Sequence, residues 1–311
     1  MKTKIVIAGL GGVGGYFGGL LARRYADDPM VEIYFLARGE HLEKVRDNGL
    51  TLITETGTFI VHPALATDNV DEIGVSDYII LSTKSYDLEA TVKQVKPLVG
   101  AGTVILPLLN GIDNSERIRA LLPGVEVWDG CAYIVARKKE PGVVENSGKV
   151  HRLDFGYEYG KSDERLRAFE QLLRNAGIDA TFHLDILKAI WTKFFFISST
   201  ATLTSYFNVG FRGLIDDENR KNTLAGILDE LMRVARAENV RIDSDQVEKI
   251  IRQLEKLPDD STASMHSDFL AGSDTELETL TGIVLRLGQK HGLPLPLYQA
   301  VYTDLRKRMN P

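Results

Sequence analysis

One cysteine, Cys131, occurs in 311 residues, which excludes an intrachain disulfide and fits a reducing cytoplasm. A small buried residue in a strand is the better reading for it than a nucleophile. Clustered positive charge is also missing. The 37 Lys and Arg are scattered among 43 Asp and Glu, for a net charge of −6, which argues against nucleic acid as the main partner. Six histidines (His41, His62, His151, His183, His266, His291) form no metal-like grouping, so no metal is assigned. No stretch is long and apolar enough to cross a bilayer. The run from Ile5 to Ala22, preceded by Lys2 and Lys4, imitates a signal peptide, but seven of its residues are glycine. That suits neither a leader nor a membrane span. A soluble protein without internal repeats is expected.

What the chain does have begins with that glycine run. Ile5 to Ala8 is a short apolar stretch of the kind a parallel strand buried on both faces needs. Gly9, Leu10, Gly11, Gly12, Val13 and Gly14 follow, with Gly9, Gly11 and Gly14 in G-x-G-x-x-G register. Val13, Phe17, Leu20, Leu21 and Arg24 then read as a helix. In such a strand-turn-helix the first glycine permits the turn and the second lets a pyrophosphate approach the backbone. The third lets helix and strand pack closely, and the free N–H groups of the helix start face the anion. The motif alone is weak, and its place between a buried strand and a helix strengthens it.

At 311 residues the chain exceeds one ordinary core, so two domains are expected. Strand and helix alternate through the first half. Val31–Leu36 is a strand, His41–Asp47 a helix, and Leu50–Ile53 with Thr58–Val61 a hairpin. Asp77–Thr83 and Thr103–Pro107 are further strands, with helices through Val92 and Val95 and over Asn114–Leu122. This order implies a doubly wound, mostly parallel α/β sheet. Trp128–Ala136, Gly142–Asn146 and Val150–Gly156 read as an antiparallel extension, followed by a helix over Arg165–Asn175 and a strand over Asp179–Phe182. Beyond His183 five helices are expected, near 185–207, 217–238, 244–256, 274–290 and 296–309. The domains are accordingly 1–182, for the dinucleotide, and 183–311, all helical. The boundary carries no Gly/Ser-rich linker, so closely packed domains with a cleft are expected.

Ligands of open α/β sheets bind beyond the carboxyl ends of the strands. Gly9–Gly14, Arg38, Lys84 and Asn110 all fall at such ends. An acid closing the second strand would suit the ribose hydroxyls of NAD, whereas Arg38 suits a 2′-phosphate; Glu40 lies close by. Lys84 reads equally as a surface lysine, and Asn110-Gly111 as a turn. Lys193 lies in the most apolar helical stretch, Ala189–Ile197, and is either a snorkelling lysine or a general acid for a substrate carbonyl. Ser264, Asp268, Glu276 and Glu278 precede or open a helix, where acids suit the N-terminus and Ser273 or Asp274 would be the cap.

Taken in order, Gly-Leu-Gly-Gly-Val-Gly14, Leu-Ala-Arg38, Ser-Thr-Lys84, Asn110-Gly111, Trp191-Thr-Lys193-Phe, Leu203-Thr204, Ala263-Ser264-Met265, Thr275-Glu276-Leu277 and His291-Gly-Leu-Pro294 resemble the ketopantoate reductases (2-dehydropantoate 2-reductases) over essentially the whole chain. The resemblance implies an N-terminal Rossmann domain and a helical C-terminal domain like that of 6-phosphogluconate dehydrogenase. It implies NADPH-dependent reduction of 2-dehydropantoate to (R)-pantoate, on the way to pantothenate and coenzyme A, by a cytoplasmic monomer or homodimer. Carried over by motif, the Gly9–Gly14 loop, Arg38 and Lys84 bind NADP(H), and Asn110 sits beside nicotinamide and substrate. Lys193 is the general acid. Ser264 and Glu276 bind and orient the substrate, Glu276 completing the catalytic pair. Two positions depart: Ile197 and Ala201 stand where members of the family carry asparagines. Either Ser198, Ser199 or Thr200 restores the lost polarity, or the substrate is a different 2-oxo acid. A non-enzymatic nucleotide sensor is a further alternative, against which Lys193 and Glu276 both argue.

Overall fold

The computed structural model describes residues 2–157 and 162–309. Two compact units emerge. One holds the residues up to Leu109 together with Asp113–Ile186; the other holds Asn110–Ile112 and the residues from Leu187 onward.

The first unit runs β1 (Thr3–Ala8), α1 (Gly12–Arg24), β2 (Val31–Leu36), α2 (Gly39–Asn48), β3 (Leu50–Thr54), β4 (Gly57–Val61), β5 (Leu65–Thr67), β6 (Tyr78–Leu81), α3 (Leu88–Val95), β7 (Val104–Pro107), α4 (Asn114–Leu121), β8 (Glu126–Val127), β9 (Asp129–Glu140), β10 (Val143–Gly156), α5 (Glu164–Asn175) and β11 (Asp179–His183). Six of these strands form one sheet in the order β5-β2-β1-β6-β7-β8, every pair parallel. Counted along the chain this is the doubly wound order of a dinucleotide-binding domain, with its switch point between β1 and β6. Residues of β1 alternate between two cores, as the two-residue period of a strand requires. Ile5 and Ile7 join Phe17, Leu52, Trp128 and Phe155, whereas Val6 and Ala8 join Ile79, Leu88, Val92 and Ile118.

The remaining strands correct one expectation. They do not extend the parallel sheet but build a second one, in which β9 runs antiparallel along β10 and the β3–β4 hairpin and β11 also pair with it or with each other in the order β11-β10-β3-β4. The segments expected as two strands, 142–146 and 150–156, are one strand with a register shift between Asn146 and His151. Two short strands, β5 and β8, go beyond those expected. Helix α1 packs on both sheets, which explains its glycines. A methyl at Gly18 would meet Ile7 at 2.9 Å, and one at Gly15 would meet Val144 at 2.6 Å. Each glycine costs about 1 kcal/mol of helix propensity, offset by close burial on both sides.

The second unit comprises α6 (Ile186–Phe207) from Leu187 onward, α7 (Glu218–Ala237), α8 (Gln246–Leu254), α9 (Ser264–Leu270), α10 (Ile283–Lys290) and α11 (Pro296–Met309). Trp191, Phe194, Phe195 and Leu203 of α6, Leu224, Ile227 and Leu231 of α7, and Tyr298, Val301 and Leu305 of α11 share one core. Among its described residues this unit has six α-helices rather than the five expected, α9 being the addition. No described helix is long and apolar enough to cross a membrane. Helix α11 starts with proline, a favoured first residue. Its next two N–H groups, of Leu297 and Tyr298, donate to the buried carboxylate of Glu230 from α7, both at 2.9 Å. Arg306, Lys307 and Arg308 occupy its last turn, where cations suit the dipole.

Candidate active site

In the first unit the candidate cofactor residues gather because parallel strands end on one side. Ala8 is in register with Leu36 and with Leu81, so the segments that follow β1, β2 and β6 lie side by side. Gly9 has φ +96°, a conformation L residues rarely adopt. At Gly14 an added methyl would strike the carbonyl of Gly9, so only glycine lets α1 turn back this tightly; beside Gly11, by contrast, there is open space. Gly12 lies against the Ala136 carbonyl of β9. No side chain caps the start of α1 and no acid stands in its first turn. Leu10 is buried, and Val13 packs partly buried against the core. An uncapped helix N-terminus with room beside Gly11 fits a pyrophosphate.

Arg38 precedes α2, its side chain 85% exposed, and pairs with Asp87 at 3.2 Å. Lys84 opens the short 3-10 turn Ser85–Asp87. The acid that reaches Arg38 is not the nearby Glu40 but Asp87, from the segment after β6. No local pattern signals that meeting, since Arg38 and Asp87 lie 49 positions apart.

In the second unit, Asn110, Lys193 and Glu276 come together. Lys193 Nζ donates to Asn110 Oδ1 at 2.9 Å, and Asn110 Nδ2 donates to Glu276 Oε2 at 3.3 Å. Both bonds together fix which way the amide faces, because its oxygen must accept and its nitrogen must donate. Lys193 and Asn110 are half-buried, and Glu276 is 3% exposed. Ser264 is exposed as the first residue of α9, and no described contact joins it to the other three.

Glu276 is held by an unusual turn. Residues Glu278–Gly282 form a π-helix running into α10, and the Glu276 carbonyl accepts from Thr279 and Leu280 N–H. The chain from Ser273 to Glu276 is therefore irregular, and neither Ser273 nor Asp274 caps the helix. Single π turns inside helices are frequent at functional sites. Here α6 pins the turn: Ser198 Oγ donates to the Leu280 carbonyl at 2.6 Å and meets Tyr298 Oη at 2.9 Å, while Thr202 and Thr281 hydroxyls lie 2.7 Å apart. Ser199 and Thr200 donate to the carbonyls of Phe195 and Phe196 one turn back. All three hydroxyl residues are buried and donate within the helical unit, so of the two alternatives the one in which they restore the missing polarity is not borne out. Ile197, one turn beyond Lys193 on the same face, is half-buried, and Ala201 is buried in the helical core.

Two family models match this chain, that of ketopantoate reductase PanE/ApbA over residues 5–158 and that of its C-terminal domain over 185–309. The chain is 29% identical to the uncharacterized oxidoreductase YkpB of Bacillus subtilis, over 97% of this chain and 98% of that protein. It is 36% identical to the 2-dehydropantoate 2-reductase of Porphyromonas gingivalis W83, whose crystal structure superposes with a TM-score of 0.87 over 98% of this chain and all of that one. A D-mandelate dehydrogenase, solved with NADH and anilino(oxo)acetate, shares the fold at 22% identity and a TM-score of 0.87, over 99% of this chain and 98% of that one. An NADP-dependent oxidoreductase on a doubly wound sheet with a helical partner unit, this chain belongs to the ketopantoate reductase family.

Proposed function

We propose that this enzyme uses NADPH to reduce 2-dehydropantoate to (R)-pantoate, in the cytoplasm and as a step toward pantothenate and coenzyme A. The observation that carries the reading is the Lys193–Asn110–Glu276 chain of hydrogen bonds. Residues 1–182 would bind the nucleotide and 183–311 would handle the substrate, with Asn110 serving both tasks.

Bound NADPH supplies the hydride for the ketone carbon. As that carbon is reduced, negative charge grows on its oxygen, and the Lys193 ammonium stabilises the charge and delivers the proton. Asn110 accepts from Nζ and so aims the ammonium. The Glu276 carboxyl accepts from the amide at its other end and can take a substrate hydroxyl. Ser264 contributes a further hydroxyl for the substrate. Lys84 and Arg38 would hold the cofactor, Arg38 by its 2′-phosphate. The test is a steady-state assay with NADPH and ketopantoate; no turnover would sink the proposal.

A second reading, reduction of a different 2-oxo acid, is favoured by Ile197, Ala201 and the inward-turned hydroxyls of Ser198, Ser199 and Thr200. A panel of 2-oxo acids with apolar and hydroxylated side chains separates the two readings.

A further inference from the structure

The Arg38–Asp87 pair, Nη2 to Oδ2 at 3.2 Å, is unequal: the Arg38 side chain is 85% exposed and that of Asp87 35%. Arg38 stands in extended backbone just before α2, on a long side chain with water around it. Asp87 closes the 3-10 turn that Lys84 opens. Its N–H donates to the Lys84 carbonyl at 3.0 Å, and its own carbonyl accepts from Thr91 Oγ1 at 2.9 Å. The Asp87 backbone is thus anchored, whereas the Arg38 side chain stands open to solvent.

A phosphate on the ribose 2′ oxygen would meet Arg38 already engaged by a carboxylate, and that fixed negative charge repels a dianion. A bare 2′-hydroxyl is uncharged and meets no such repulsion. We infer that Asp87 is a specificity-determining residue that narrows the preference for NADPH and lets the enzyme use NADH as well. The inference rests on the proposed contact between Arg38 and the 2′-phosphate.

The test measures Kd for NADPH, NADH and the fragments 2′,5′-ADP and 5′-AMP, in the wild type, Asp87→Asn, Arg38→Ala and the double variant. For partly exposed charges a few ångströms apart, Asp87→Asn should tighten NADPH and 2′,5′-ADP by about three- to tenfold. It should leave NADH and 5′-AMP unchanged or weaker, which also shows that the variant is folded. The selective gain should persist in the Arg38→Ala background and shrink at high salt. No gain for the phosphorylated ligands in the wild-type background, or an equal gain for all four, overturns the role of Asp87. Failure of the parent reading looks different: Arg38→Ala alone would then weaken NADPH and NADH alike, whatever Asp87→Asn does.

Discussion

Replacing Lys193 by methionine is the sharpest perturbation of the proposed mechanism. It preserves an unbranched apolar stem in α6, between Trp191 and Phe195, and deletes only the ammonium. The deleted group donates to Asn110 Oδ1 at 2.9 Å. A charge-assisted hydrogen bond of this kind contributes about 1.5–3 kcal/mol. Half-buried methionine recovers part of that through apolar burial, so the melting temperature should fall by no more than a few degrees, at ~2–4 °C per kcal/mol for a protein of this size. Catalysis should suffer far more. Loss of a general acid typically costs about 10²–10⁴-fold in rate, well beyond what the stability change can produce. NADPH affinity, measured by fluorescence titration, should be unchanged. Stopped-flow oxidation of NADPH, followed by the loss of nicotinamide absorbance, then reads the chemical step. Turnover within tenfold of wild type, with normal substrate affinity, would refute the acid role and leave Lys193 a snorkelling lysine.

Four other outcomes are expected. Arg38→Ala should weaken NADPH by roughly ten- to hundredfold and NADH much less, by isothermal titration; equal losses remove phosphate recognition. Ser198→Ala strips the Leu280 carbonyl of its hydroxyl partner and loosens the π turn behind Glu276. A stability loss of about 1–3 kcal/mol in urea unfolding is expected, together with a shifted pH profile of kcat, and an unshifted profile would make Ser198 purely structural. Ile197→Asn should raise the kcat/KM preference for ketopantoate over 2-oxo-3,3-dimethylbutanoate, because hydrogen-bonding sites discriminate against analogues lacking the hydroxyl. A strong preference already in the wild type would show that Ser264 and Glu276 suffice. Ala201→Asn is the poorer test, since it buries an amide in the helical core. His41 is buried and accepts from Gly142 N–H at 2.8 Å; burial, then the charge of Lys138, push its pKa below the usual value. The unfolded chain therefore takes up a proton that the native ring resists, and stability present above about pH 6.5 is lost as pH falls through the usual histidine range. His41→Gln should flatten that slope; an unchanged slope would mean that other groups dominate it.

The sequence by itself determined the local pieces. Apolar runs and turn residues located β1, β2, β6 and β7 to within a residue or two, because a strand buried on both faces needs an uninterrupted apolar run. Gly9 and Gly14 could be assigned work in advance, since the turn geometry is decided within six residues. Lys193 stood out because a cation in an apolar helix requires an explanation wherever that helix packs. Tertiary structure alone decided the rest. The expected antiparallel extension became a separate sheet because β3, β9, β10 and β11 find one another across about a hundred residues of chain, and their pairing leaves no mark on hydrophobic periodicity. In sequence Ser198, Ser199 and Thr200 resemble available pocket polarity, but in the fold their hydroxyls bond to carbonyls inside the helical unit. The π turn beneath Glu276 and the carboxylate beside Arg38 were equally invisible. Each depends on which distant atom arrives at hydrogen-bonding distance, and that is settled by packing rather than by the residues on either side.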